Sequence, residues 1–123
     1  MKFKDEEMKV QFWKLDPKLR LMLCDLENYA LAMYGKEIVI TDLLRPTDKT
    51  SVHFYGRGAD VRSWMFNDVQ IAEMKFYISQ KYPYQGGKKP TFLYHRVGDG
   101  VHHIHIQTEA TQEWDKVRGL DNV

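Results

Sequence analysis

Ser51-Val52-His53-Phe54-Tyr55-Gly56-Arg57-Gly58-Ala59-Asp60 is the stretch on which the rest of the chain turns. It sets a histidine and an aspartate seven residues apart, with glycines at 56 and 58 between them. Glycine lets the backbone turn tightly, so both side chains can point at one place. A late stretch answers it, Val101-His102-His103-Ile104-His105-Ile106. Histidine and aspartate suit a borderline cation such as zinc, and three protein ligands with one open position is the pattern of a catalytic zinc centre. His53, Asp60 and His105 can supply the three, from a loop, the start of a strand and a distant strand. Such a centre is tertiary rather than local. Spacing alone leaves a plainer reading standing, in which the histidines are hydrogen-bonded or surface residues, because a motif is a hypothesis until its context is known.

The flanking segments supply that context. Glu37 to Leu44 alternates and is rich in β-branched residues, which predicts a strand. Arg45-Pro46 stops it, since proline cannot continue a ladder. A polar loop runs from Pro46 to Val52, and Ala59 to Trp64 reads as a second strand with Asp60 near its start. Asn67 caps a helix from about Asp68 to Gln80, with Val69, Ala72 and Phe76 on one face and Ile71, Met74 and Ile78 nearby. Tyr82 to Pro90 is a loop whose Tyr82 and Tyr84 either pack over the core or wall a substrate groove. Thr91 to Val97, a turn at Gly98-Asp99-Gly100, and Val101 to Thr108 form a hairpin.

Upstream, Asp16-Pro17 reads as an N-cap followed by proline at the first helical position. Leu19, Met22, Leu26, Tyr29, Ala30 and Met33 follow at helical spacing, and Gly35 closes the run. The single cysteine, Cys24, falls in this run and reads as a small buried hydrophobe. Met1 to Leu15 is a mixed lead-in anchored by Phe12 and Trp13. The tail after Glu109 is polar, with Trp114 as its anchor. Helix, strand, strand, helix and hairpin make an α+β plan, with helices packed on a mostly antiparallel sheet.

Composition narrows the function. A chain of 123 residues is one domain with a single core. A formal net charge of +1 argues against nucleic-acid binding, which draws on a basic excess, and Lys88-Lys89 reads as a solvated loop. One cysteine allows no internal disulfide framework. No apolar run is long enough for a membrane span. The charged Met1 to Lys9 segment lacks the apolar region of a secretory signal.

Strand alternation sorts the late histidines. Val101, His103 and His105 share one face, and His102, Ile104 and Ile106 share the other. The isoleucines require the core, so His103 and His105 face the candidate site together. Imidazole titrates near neutrality and can accept and return a proton, which suits His103 to an acid/base role beside the metal. His95, on the paired strand, either reaches the site or is a satisfied surface histidine, the commoner situation.

Ser51-x-His53-x-x-Gly56-x-x-Ala59-Asp60 followed by His103-x-His105 resembles the signature of the zinc D-Ala-D-Ala metallopeptidase family. That family shares its fold with the hedgehog signalling domain and its site plan with lysostaphin-type peptidases. The resemblance runs from about Ile38 to Gln107. Arg57-Gly58-Ala59 sets the small residues one position off some members. Ile40-Thr41-Asp42-Leu43-Leu44-Arg45 is similar to the family's strand ending in a substrate-facing arginine.

The resemblance implies a 1–123 zinc metallopeptidase domain with His53, Asp60 and His105 as ligands to Zn2+. Arg45 is its candidate for gripping a substrate carbonyl or carboxylate, a planar guanidinium being able to make two parallel hydrogen bonds. The plainer reading of Arg45 is an ion pair with Asp42 or Asp48. Ser51 and Tyr55, inside the motif, join Arg45 in the substrate wall, Ser51 also bracing the His53 loop through a local hydrogen bond. Some members carry Glu three residues before the last ligand as general base, and others a His-x-His pair. This chain has His102 at the glutamate's position and matches the second form, so His103 is the favoured acid/base and His102 the alternative. The implied substrate is the peptide stem of bacterial peptidoglycan, cut as a D-Ala-D-Ala carboxypeptidase or an L-Ala-D-Glu endopeptidase does. A phage lytic enzyme or a part of a phage particle fits a small monomeric domain that stays in the cytoplasm until released and then acts at the cell wall. The alternative is a non-catalytic zinc-binding or virion-assembly module on the same fold.

Overall fold

The computed structural model describes residues 1–47, 49–96 and 102–109, the side chain of Arg96 excepted. Among these, five strands and three α-helices follow in the order β1 (Lys2–Phe3), α1 (Glu6–Phe12), α2 (Pro17–Tyr34), β2 (Val39–Asp42), β3 (Gly58–Arg62), α3 (Asp68–Lys81), β4 (Phe92–Arg96) and β5 (His102–Gln107). The strands form one sheet in the order β1-β2-β3-β5-β4. β1 runs parallel to β2, and the remaining pairs are antiparallel. The α+β class with a mostly antiparallel sheet is therefore what the chain adopts. No helix of the described residues is long and apolar enough to cross a membrane.

The helix ends follow the local chemistry. Asp16 Oδ1 accepts from the Lys18 amide at 2.9 Å, Pro17 occupies the first turn, and Gly35 closes α2 in the left-handed region at φ 65°. Asn67 and Gln70 cap α3 reciprocally, a capping box that satisfies two amides otherwise without partners. Leu19, Met22, Leu23, Leu26 and Ala30 of α2 and Ile71, Met74 and Ile78 of α3 join Ile40, Ala59, Val61, Phe92, Ile104 and Ile106 of the sheet in one core cluster. The helices thus cover one sheet face and leave the other to the histidines.

The structure corrects the placement of Trp13, Cys24 and Met33 and fills in what the sequence left open. The lead-in is ordered: Lys2 and Phe3 pair with Val39 and Ile40, and Asp5 caps a seven-residue helix. Phe12 is buried there, but Trp13 is 70% exposed, because consecutive helical positions cannot both face the core. Cys24 is exposed, one position off the buried Leu23, and Met33 likewise turns outward. On α3 the stripe that meets the core is Ile71-Met74-Ile78, while Val69 and Phe76 face solvent. Both stripes have helical spacing, and the two-residue offset turns them to opposite sides. Tyr82 and Tyr84 are buried, and the Tyr82 hydroxyl donates to Asp25. Tyr82 packs over the core, and Tyr84 lines a surface pocket with Pro83, Lys89 and Pro90.

The turn at Gly98-Asp99-Gly100, Asp48 as an ion-pair partner of Arg45, Val97 and Val101 as strand residues, and Trp114 as an anchor lie outside the described residues.

A candidate metal centre on the open face of the sheet

The site begins at a cross-strand pair. Asp60 on β3 lies directly opposite His105 on β5, so both side chains leave the sheet on the same face. The third residue comes from the loop before β3. That loop turns between Ser51 and Gly56, where the Gly56 φ is 70°, and the Ser51 hydroxyl accepts from the His53 amide at 3.1 Å. The turn presses His53 against the start of β3. A Cβ on Gly58 would lie 2.6 Å from Val52 Cγ2, 3.2 Å from His105 Cε1 and 3.4 Å from His53 Cδ2. Gly58 is thus needed for close approach, since no side chain fits between the two histidine rings and the strand.

His53, Asp60 and His105 are all buried, and one ligand atom from each lies within 4.8 Å of the others. Their hydrogen bonds fix what those atoms carry. His53 Nδ1 sits 2.6 Å from the Leu43 carbonyl, which only accepts, so Nδ1 carries a proton and Nε2 is the nitrogen turned to the site. Gln107 donates its amide NH2 to the Pro90 carbonyl at 2.7 Å, which turns its Oε1 toward His105 Nε2 at 3.0 Å. His105 therefore carries a proton on Nε2. The remaining nitrogen of each ring faces one carboxylate oxygen, with Asp60 Oδ1 at 3.4 Å from His53 Nε2 and 2.9 Å from His105 Nδ1. A proton joins these atoms by hydrogen bonds, and in its place a cation would meet three converging lone pairs. Two imidazoles whose far N–H groups are tied to carbonyl oxygens, plus a carboxylate, form the donor set of a metal ligated from the protein side.

Electrostatics agree. Burial alone would raise the Asp60 carboxyl pKa. Hydrogen bonding to His105 and His53, with nearby positive charge, outweighs it and holds the group well below the ordinary carboxylate range. Asp60 is therefore the anionic member of the trio.

The other candidates fall into two groups. Arg45, Ser51 and His103 line the same pocket of about 390 Å³ as the three ligands, with His95 and Gln107. Arg45 is already paired: its Nε lies 2.7 Å from Asp42 Oδ2 and its Nη2 3.4 Å from Asp60 Oδ2. His103 Nε2 is 3.7 Å from Asp60 Oδ1. Burial lowers the His103 pKa, and His95, His105 and His53 lower it further against the pull of Asp60, which favours the neutral ring. His102 and Tyr55 are not brought into this pocket. His102 is exposed, with its ring 5.2 Å from that of Tyr94. Tyr55 lies against Phe54 and the Arg57 guanidinium.

One member of the site, Gln107, escapes the sequence reading, and another, His95, takes the less common of its two readings and reaches the pocket. His95 pairs directly with His103 in the β4–β5 register, and the two Nε2 atoms are 2.8 Å apart. Gln107 orients His105, and its only sequence signal is its place two residues further along the same face. No protein-family model matches the chain, and no curated protein matches it either.

Proposed function

We propose that this chain is a zinc peptidase that hydrolyses peptide bonds in peptidoglycan stem peptides, of the D-Ala-D-Ala carboxypeptidase or L-Ala-D-Glu endopeptidase type. The observation that carries the reading is the convergence of His53 Nε2, His105 Nδ1 and Asp60 Oδ1, with tautomers set by Leu43 and Gln107. The similarity of Ser51–Asp60 and His103-x-His105 to the zinc D-Ala-D-Ala metallopeptidases supports the substrate class, by analogy rather than by chemistry. In the same reading the sheet and helices are the hedgehog/DD-peptidase fold, and the setting is a phage lytic enzyme or phage particle component.

Zinc held by these ligands supplies Lewis acidity toward a carbonyl oxygen and lets water attack at neutral pH. The chain's own groups do the rest. Arg45 holds Asp60 through Oδ2 and leaves Oδ1 turned to the histidines. His103 would take a proton at Nε2 from the attacking water and return it to the leaving amine. His95 Nε2, 2.8 Å away, already shares a hydrogen bond with that nitrogen and must turn aside to free its lone pair. Arg45 and Ser51 stand in the pocket wall where a substrate carbonyl is gripped.

The test is a digest of purified peptidoglycan with and without a zinc chelator, read by mass spectrometry. Chelator-sensitive cleavage is expected, and the fragment masses name the bond. A zinc-containing protein that cuts no wall type would shift the reading to a non-catalytic zinc module. One observation favours that second reading: the position three residues before His105 holds His102, which faces away from the pocket, where some family members carry a glutamate. His103→Ala separates the two. Under the peptidase reading it keeps zinc and loses roughly 10²- to 10⁴-fold in rate.

A further inference from the structure

We propose that Arg62 and Trp64 form a carboxylate-binding subsite beside the metal centre. The proposal rests on the peptidase reading and deepens it by assigning a part of the substrate that is not cut.

Two arginines belong to this end of the molecule, and they differ in commitment. Arg45 is held by Asp42 and Asp60. Its Nε and Nη2 edge, the fork that would grip a carboxylate bidentately, is taken up by these two groups. Arg62 pairs with His103 across β3 and β5, so it stands on the histidine face. Among the described residues it has no carboxylate partner. Its neighbour is an aromatic ring: the guanidinium carbon lies 5.0 Å from the centroid of Trp64.

Trp64 is 78% exposed, two residues past the end of β3. An exposed indole gains little for folding, yet it gives a guanidinium a flat surface to rest on. Stacking restrains the Arg62 side chain and leaves its N–H edge open to a planar anion, the geometry that favours bidentate carboxylate recognition.

Position completes the case. Arg62 and Trp64, with Thr41, Ser63 and His102, line a pocket of about 340 Å³ whose remaining wall is His103. His103 also lines the pocket of the metal ligands. A peptide seated at the metal centre and extended past His103 meets an uncompensated guanidinium. Peptidoglycan stems carry free carboxylates away from the bonds that are cut, and these are the chemical class that fits.

The experiment compares two synthetic stem pentapeptides, L-Ala-γ-D-Glu-L-Lys-D-Ala-D-Ala with the D-glutamate α-carboxylate free or amidated. Each is titrated into the full-length zinc-loaded chain, with the Trp64 indole N–H resonance, assigned by its loss in Trp64→Phe, as reporter. Cleavage is followed separately by mass spectrometry. The wild-type chain should prefer the free acid by roughly tenfold, the scale of one charge-assisted hydrogen-bond pair at a partly exposed site. Arg62→Ala should bring that ratio to about one, and Arg62→Lys, which keeps the charge without the fork, should restore part of it. Unchanged zinc stoichiometry shows that each variant is folded. A wild-type ratio near one, or a ratio that survives Arg62→Ala, overturns the subsite. A carboxylate-dependent shift of Trp64 without any cleavage keeps the subsite and removes the peptidase reading.

Discussion

The two faces of β5 are built from alternate residues of one strand and obey different rules. Ile104 and Ile106 are wholly buried among some twenty apolar side chains drawn from every layer of the protein. What matters there is volume, and many neighbours share the cost of an error. His103 and His105, one residue away on each side, touch only a few groups, but each contact specifies an atom: Asp60 Oδ1 for one nitrogen of His105, Gln107 Oε1 for the other. The core face tolerates shape-preserving change, and the histidine face tolerates almost none. Fold and chemistry can thus be broken separately, although they alternate along six residues.

The sharpest test breaks each face in turn. His105→Ala should abolish zinc binding and with it nearly all hydrolysis, while the helices and sheet survive; atomic absorption and circular dichroism on the same sample check both. Ile104→Ala should do the reverse. Removing a fully buried isoleucine side chain costs about 3 kcal/mol of stability, within the usual range for such truncations. The variant should still bind one zinc per chain below its lowered Tm. Equal loss of zinc and of stability in both variants would mean that the two faces are not independent.

Gly58→Ala comes next, because it joins the faces. The added methyl meets Val52 and both ligand histidines, and overpacking of this kind costs about 1–3 kcal/mol. Here that cost should appear as zinc affinity, a loss on the order of 100-fold in chelator competition, since Val52, next to His53 in the loop, must shift and His105 must give by a few tenths of an ångström.

Much of this architecture can be read from single residues. Asp16-Pro17 and Gly35 bracket α2 because caps are local chemistry, written in the residues that perform it. The alternation of β5 separates His103 and His105 from Ile104 and Ile106 because a strand has a period of two wherever it sits. What depends on distant partners is not legible in that way. β1 is two residues long and exists only because β2 offers it a parallel edge, and α1 is shorter than a helix that is stable alone. The inward stripe of α3 is chosen by the sheet beneath it, not by spacing that Val69-Ala72-Phe76 satisfies equally. His95 is an intermediate case. The β4–β5 register sets residue 95 opposite 103, so its place at the site follows from the strand pairing, but a lone histidine carries no mark of that. The two arginines are the clearest limit, because whether a guanidinium is spent or open is a matter of who sits beside it.

Gln107 tests how far the chemical face extends beyond its ligands. Its amide fixes the proton of His105 on Nε2, and it is itself fixed by the Pro90 carbonyl. Groups that orient metal-bound imidazoles typically contribute 10- to 100-fold in affinity. Gln107→Ala should weaken zinc by roughly tenfold, since water can replace the lost oxygen at a partly open position. Gln107→Glu should recover most of it, because a carboxylate also accepts from Nε2. Failure of that rescue would mean that Gln107 serves the strand and not the imidazole.

The smallest effect belongs to the core side, at a residue that might have belonged to the groove. Tyr82 donates to Asp25, with Lys81 beside the carboxylate. Burial would raise the Asp25 pKa, but the hydrogen bonds from Tyr82 and Lys81 outweigh it and hold the group below its ordinary value of 3.8. A carboxyl depressed in the folded state contributes stability above its unfolded pKa, and that contribution fades as pH falls through the folded value. Tyr82→Phe should therefore cost about 1 kcal/mol at neutral pH. It should also flatten the decline in stability below pH ~4, because less of the depression remains to be lost. Urea titrations of the two proteins between neutral and acid pH read this difference directly. Zinc stoichiometry and peptide cleavage should be the same in both, and a change in either would return Tyr82 to the wall of a substrate groove.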